Sequence, residues 1–141
     1  MTIRRIAAVY AMLVGAAVIG LWTALLLAGD VPELETSPLE IRYHLAAELL
    51  TGVALVASGA GLWRGRRWAE RTFTIALGML LYTVINSAGY YADLGEATLV
   101  GMFTALTVLT VVLVWTVVTR PALFAVSGDE SRGTAETGPS A

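Results

Sequence analysis

Four long stretches with almost no charged residues constrain this chain more than any other feature. They cover residues 6–28, 42–63, 71–92 and 97–119. A helix of about 20 residues, rising about 1.5 Å per residue, spans the roughly 30 Å hydrocarbon core of a bilayer. Helices also satisfy their own backbone hydrogen bonds where water is absent. The sequence therefore predicts an all-α fold, a four-transmembrane-helix antiparallel bundle.

The composition excludes a soluble domain. Residues of the apolar set AVILMFWYC make up 57% of the chain and charged residues only 14%, against about 25% charged in soluble proteins. With 141 residues, there is room for one domain. We expect residues 1–121 to form the membrane domain. Residues 122–141, rich in small, polar and acidic residues, are expected to form a disordered cytoplasmic tail.

The arginines predict how the spans are oriented. If the spans alternate in direction, only Arg42 lies on one side, and eight of the nine basic residues lie on the other: Arg4, Arg5, Arg64, Arg66, Arg67, Arg71, Arg120 and Arg132. Basic residues favour the cytoplasmic side of membrane proteins, so both termini are predicted to be cytoplasmic. Because all basic residues are arginine and none is lysine, which is a compositional hint of a prokaryote, we expect a multi-pass protein of a prokaryotic plasma membrane.

Small residues recur at the spacing of helix contacts. They include Ala16, Gly20, Ala24 and Ala28 in the first span, Gly52 and Gly59 in the second, Gly78 in the third, and Gly101 and Ala105 in the fourth. Such patterns let helix backbones approach closely in lipid. They fit either internal packing of one bundle or contact between two copies.

The second and third spans each carry a polar face. His44, Glu48 and Thr51 share one face of the second span, and the fourfold spacing of Tyr82, Asn86 and Tyr90 places them together on the third. Glu48 and Asn86 each lie about five residues, or roughly 8 Å, below the predicted outer boundary. If the two faces look at each other, these six side chains line one pocket in the outer half of the bundle.

Several interpretations of this pocket stay open. It fits an interhelical hydrogen-bond clamp that fixes helix packing in a structural or accessory subunit. It also fits a site that binds or translocates a proton, a cation or a small polar solute, because an ionisable residue within a span is costly and usually functional. A single histidine and the absence of cysteine disfavour a metal site and haem. We expect no cofactor, and no catalytic set can be assembled, so we expect no enzyme.

The arginines of one loop and the overall charge give predictions about binding partners. The arginines between the second and third spans, Arg64, Arg66, Arg67 and Arg71, are candidates for binding anionic lipid, or they serve only as topology determinants. Besides the lipid bilayer, a homo-oligomer or a larger membrane complex is possible. A net charge of −2 gives no reason to expect nucleic acid.

Overall fold

The fold is entirely helical. The structure, a computed structural model, describes residues 2–124, so most of the predicted tail lies outside the described residues. The helices are α1 (Ile3–Ala28), α2 (Glu33–Thr36), α3 (Pro38–Trp63), α4 (Ala69–Asp93) and α5 (Ala97–Thr119), followed by a 3₁₀ turn at Pro121–Leu123. All except the one-turn α2 are long and apolar enough to span a membrane. The predicted all-α class is therefore confirmed, and the four predicted spans correspond to four helices that are long and apolar enough to cross a membrane.

The four long helices pack in the order α1, α3, α4, α5. Contacts are most extensive between α1 and α3, followed by α4 with α5 and α3 with α4. The two ends of the molecule differ in charge. We call one the basic end, with Arg4, Arg5, Arg64, Arg66, Arg67, Arg71 and Arg120, and the other the acidic end, with Asp30, Glu33, Glu35, Glu40, Asp93 and Glu96.

Helices α1 and α3 approach each other closely through glycine. A Cβ atom added to Gly15 would lie 2.6 Å from the carbonyl oxygen of Gly52. One added to Gly59 would lie 2.8 Å from the carbonyl oxygen of Ala8. The two backbones therefore touch where a larger side chain would separate them, as small residues allow in membrane helices. Internal packing explains the glycines of α3.

Other small residues of the sequence pattern point away from the bundle. An added Cβ would meet no atom within 4 Å at Gly20, Gly78 or Gly101. Ala16, Ala24 and Ala28 are also exposed, on the part of α1 nearest the acidic end. Internal packing within one chain does not explain this second group.

The core is concentrated towards the basic end. The buried residues of α1 all lie in its first half, from Ala7 to Gly15, and those of α5 lie in its second half, from Thr110 to Val117. In α4 the last buried residue is Val84. Phe124, only 1% exposed, stacks on Phe73 with ring centres 6.2 Å apart. The packed fold therefore extends three residues beyond the predicted boundary at 121.

A hydrogen bond joins the first and last spans. The Tyr10 hydroxyl and the Thr110 hydroxyl lie 2.9 Å apart, and the Thr110 hydroxyl also donates to the carbonyl oxygen of Leu106. Tyr10 is therefore the donor to Thr110. This contact closes the row of helices at the level where both α1 and α5 are buried.

The connection over the acidic end contains the short helix α2. Helix α3 begins at Pro38, and Ser37 before it makes no side-chain cap hydrogen bond. The preceding residues form α2, which packs against α3. The hydroxyl of Tyr90 on α4 donates to the carboxylate of Glu33 at 3.0 Å. The loop is thus tied to two long helices.

The glycine contact between α1 and α3 yields a stability prediction. Gly15→Ala should lower the unfolding free energy by about 1–3 kcal/mol, because the new methyl group overlaps backbone atoms that have little room to shift. Gly20→Ala on the same helix is the matched control, since its methyl group meets nothing. Thermal unfolding in detergent measures both. Equal effects of the two substitutions would contradict the close packing at Gly15.

Candidate functional site

The candidate site centres on Glu48, a carboxylate buried inside a predicted span. Glu48 is 8% exposed. It lies four residues before Gly52 on the face of α3 that contacts α1, while Trp22 lies seven residues after Gly15 on the facing side of α1. The Trp22 Nε1–H group donates to Glu48 Oε2 at 3.4 Å, which is a long hydrogen bond. The glycine packing therefore brings an indole donor to the carboxylate.

His44 completes the group one helical turn nearer the acidic end. Its Nε2 atom lies 3.9 Å from Glu48 Oε1, an ion pair when the imidazole is protonated. Its ring meets the Trp22 ring edge-on, with centroids 5.8 Å apart. We call Trp22, His44 and Glu48 the Glu48 cluster. The side chain of His44 is 32% exposed and that of Glu48 11%, so His44 is the accessible member of the pair.

The structure does not bring the polar face of α4 to Glu48. Tyr82 is 69% exposed and Asn86 is also exposed, while Tyr90 donates to Glu33 instead. The part of α4 that is buried is the apolar face of Leu77, Leu80 and Val84. The predicted contact of Glu48 with Asn86 is therefore wrong. Two residues at equal depth need not face each other, because each helix can be rotated about its own axis. In α4 the apolar face packs into the bundle, and the polar face points outwards.

Thr51 is buried beside Glu48 but has no free hydrogen-bonding role. Its hydroxyl donates to the carbonyl oxygen of Ala47 at 2.8 Å. Further towards the basic end, the Ser58 hydroxyl donates to the carbonyl oxygen of Leu55 at 3.1 Å. Both hydroxyl groups are thus engaged by their own helix. Between Glu48 and the end of α3 at Trp63 the sequence has no further charged residue, so the charged groups of the site continue towards the acidic end only.

Trp22 is the member of the site that the sequence reasoning missed. The predicted pocket joined residues of equal depth in α3 and α4 and included no residue of α1. Gly15 and Gly52 mark the level at which α1 and α3 cross. Counting seven residues from Gly15 towards the acidic end of α1 reaches Trp22, and four residues in the same direction along α3 reach Glu48. A small-residue pattern on both helices is therefore the signal that could have found the contact.

The cluster offers few ligands for a metal ion. No group of three or more His, Cys, Asp or Glu side chains gathers within residues 2–124. His44 and Glu48 thus supply two ligands, whereas structural zinc sites use four. The chemistry of the cluster is that of one carboxylate, one imidazole and one indole donor, which can hold and exchange a proton or bind a small cation.

The candidate lipid-binding arginines lie at the basic end. Arg64 follows the last residue of α3, Arg66 and Arg67 lie in the connection, and Arg71 is in the first turn of α4. All four are exposed. Arg64 follows Glu48 by 16 residues, or about 24 Å along the helix, so these arginines form a separate feature.

Comparison with known proteins gives a family and no function. No curated protein and no solved structure matches this chain. One family model, a domain of unknown function named DUF8058, matches residues 1–124. The match ends at Phe124, the buried residue that stacks on Phe73 and closes the core at the basic end. It therefore covers the whole packed fold, and the chain belongs to the DUF8058 family.

Proposed function

We propose that this multi-pass membrane protein binds a proton, a small cation or a small polar solute at the Glu48 cluster, from the side of the acidic end. The observation that carries the proposal is the burial of the Glu48 carboxylate within a span. A charged side chain at the centre of a span costs about 2.5–3.5 kcal/mol on insertion scales. The cost is lower nearer the boundary, where Glu48 lies, but ionisable residues within spans usually mark ion or proton sites. A carboxylate needed only for packing would be replaceable by a neutral side chain at no such cost.

The surroundings of Glu48 support exchange with the aqueous phase. A single long hydrogen bond from Trp22 engages the carboxylate, and His44 stands between it and the acidic end. Histidine side chains commonly relay protons in proteins. Six acidic residues at that end attract cations towards the same end of the bundle.

The one-sided polarity favours binding over passage through the molecule. Beyond Glu48 the buried face of α3 offers Thr51 and Ser58, whose hydroxyl groups are held by their own backbone. A translocation path needs further exchangeable groups towards the basic end. The site accordingly serves as a binding site or sensor rather than a channel.

The orientation belongs to the same proposal. The basic end faces the cytoplasm of a prokaryotic cell and the acidic end faces outwards, in line with the distribution of eight arginines to one. The Glu48 cluster then samples the external medium. In this arrangement the site responds to external pH or solute.

Glu48→Gln tests the proposal directly. The amide keeps the shape of the side chain and removes its charge, so binding of protons or cations at the cluster should be lost while the fold persists. Purified protein is reconstituted in liposomes, and proton and cation binding or flux is measured as external pH and the ion are varied. The proton or cation signal of the Glu48→Gln variant should fall to the level measured for protein-free liposomes.

Two further variants make the result specific. Glu40→Gln removes one acidic charge from the exposed start of α3 and should leave the response intact. His44→Gln should weaken the response, because it removes the accessible imidazole 3.9 Å from the Glu48 carboxylate. A wild-type protein that shows neither binding nor flux, or a Glu48→Gln variant that behaves like wild type, would contradict the proposal.

A second candidate function, a structural or accessory subunit, is favoured by the outward position of Asn86. Asn86 is exposed on α4, and within residues 2–124 its side chain makes no hydrogen bond. At this depth lipid offers the amide no partner, whereas a second helix does. Because a carboxamide is both donor and acceptor, two copies of Asn86 can bond to each other. This candidate is a homo-oligomer that pairs through the outer face of α4.

Asn86→Leu tests that candidate. Polar contacts between membrane helices contribute about 0.6 kcal/mol on average, so the substitution should weaken self-association about threefold. Energy transfer between labelled copies in liposomes measures the association. The neighbouring exposed Ile85→Leu is the control and should leave it unchanged. A wild-type chain that stays monomeric in lipid would refute pairing through Asn86.

A further inference from the structure

A groove runs between α1 and α3 at the basic end, opposite to the Glu48 cluster. It has a volume of about 260 Å³ and is lined by Val9, Met12, Ala60, Trp63 and Arg64. All of these are partly or largely exposed. The groove is therefore an open indentation in the outer surface of the helix pair, next to the bilayer, and not an internal cavity.

The walls of the groove are apolar over most of their length. Met12 lies seven residues along α1 from Arg5, or about 10 Å. The groove thus extends from the level of the arginines to the depth of lipid acyl chains. Side chains of Val9, Met12 and Ala60 offer hydrocarbon contact there. A chain of methylene groups fits such a surface, whereas a polar solute does not.

The mouth of the groove is positively charged. The Arg5 guanidinium lies 5.6 Å from the centre of the Trp63 ring, in the range of a cation–π contact. Arg64 lines the groove directly. In the described part of the chain no arginine forms an ion pair with an acidic side chain, and Glu70 is the acidic residue of the basic end. The two guanidinium groups are available to an external anion.

The geometry points to a binding site for an anionic phospholipid, with the phosphate at Arg5 and Arg64 and one acyl chain along Val9, Met12 and Ala60. Guanidinium groups match phosphate in charge and in hydrogen-bond geometry, and Trp63 lies at the level where aromatic rings favour the membrane interface. This site is independent of the function proposed for Glu48. Of the four arginines that the sequence offered as lipid-binding candidates, Arg64 lines the groove, whereas Arg66, Arg67 and Arg71 do not.

Lipid titration followed by native mass spectrometry tests the site on the full chain. The probes are phosphatidylglycerol and phosphatidylcholine with the same acyl chains. Each arginine near a membrane surface contributes about fivefold to anionic-lipid affinity. Arg5→Gln with Arg64→Gln should therefore reduce phosphatidylglycerol binding about 25-fold. Arg67→Gln with Arg71→Gln removes the same charge outside the groove and should retain most of the binding.

Two further measurements distinguish binding in the groove from electrostatic attraction of the phosphate alone. Ala60→Phe fills the groove and keeps every charge, so it should also lower phosphatidylglycerol binding. Glycerol phosphate, which has the headgroup without acyl chains, should bind much more weakly than the lipid. Equal losses in the two arginine pairs, equal binding of the two lipids by wild type, or equal binding of glycerol phosphate and lipid would each overturn the proposal.

Discussion

The direct backbone contact between α1 and α3 is the constraint on which the candidate site depends. In lipid no hydrophobic effect draws helices together, so close packing of small residues must do so. Gly15 lies against the carbonyl oxygen of Gly52, and Gly59 lies against Ala8. The same two faces carry Trp22 and Glu48 towards the acidic end. A larger residue at the crossing would separate the helices and with them the indole from the carboxylate.

The two ends of the bundle are built differently, and each has its own chemistry. Near the basic end all four long helices contribute to the core, which Phe124 closes. Near the acidic end the outer parts of α1 and α4 bury little, and the connection is tied down by the contact of Glu33 with Tyr90. A site that exchanges protons or solutes needs access, which the looser end provides. A lipid site needs a fixed surface, which the tightly packed end provides.

The sequence was sufficient to locate the long apolar helices and to place Glu48 within one of them, and insufficient to identify the side chain of another helix that contacts Glu48. Span lengths follow from hydropathy and the thickness of the bilayer, and they agree with the helices within a few residues. A buried acid in a span is visible without a structure. Rotation of each helix is not, because Tyr82 and Asn86 have the periodicity of a contact face yet point outwards. That choice depends on how Leu77, Leu80 and Val84 pack in the core, which is a property of the whole bundle.

The Glu48 carboxylate faces Trp22 of α1 and not Asn86 of α4. Solid-state NMR in lipid bilayers measures this directly, with isotope labels on the indole nitrogen of Trp22, the side-chain amide of Asn86 and the carboxyl carbon of Glu48. We predict strong dipolar coupling between the Trp22 nitrogen and the Glu48 carboxyl carbon, and no detectable coupling from the Asn86 amide. Coupling to Asn86 without coupling to Trp22 would contradict the account.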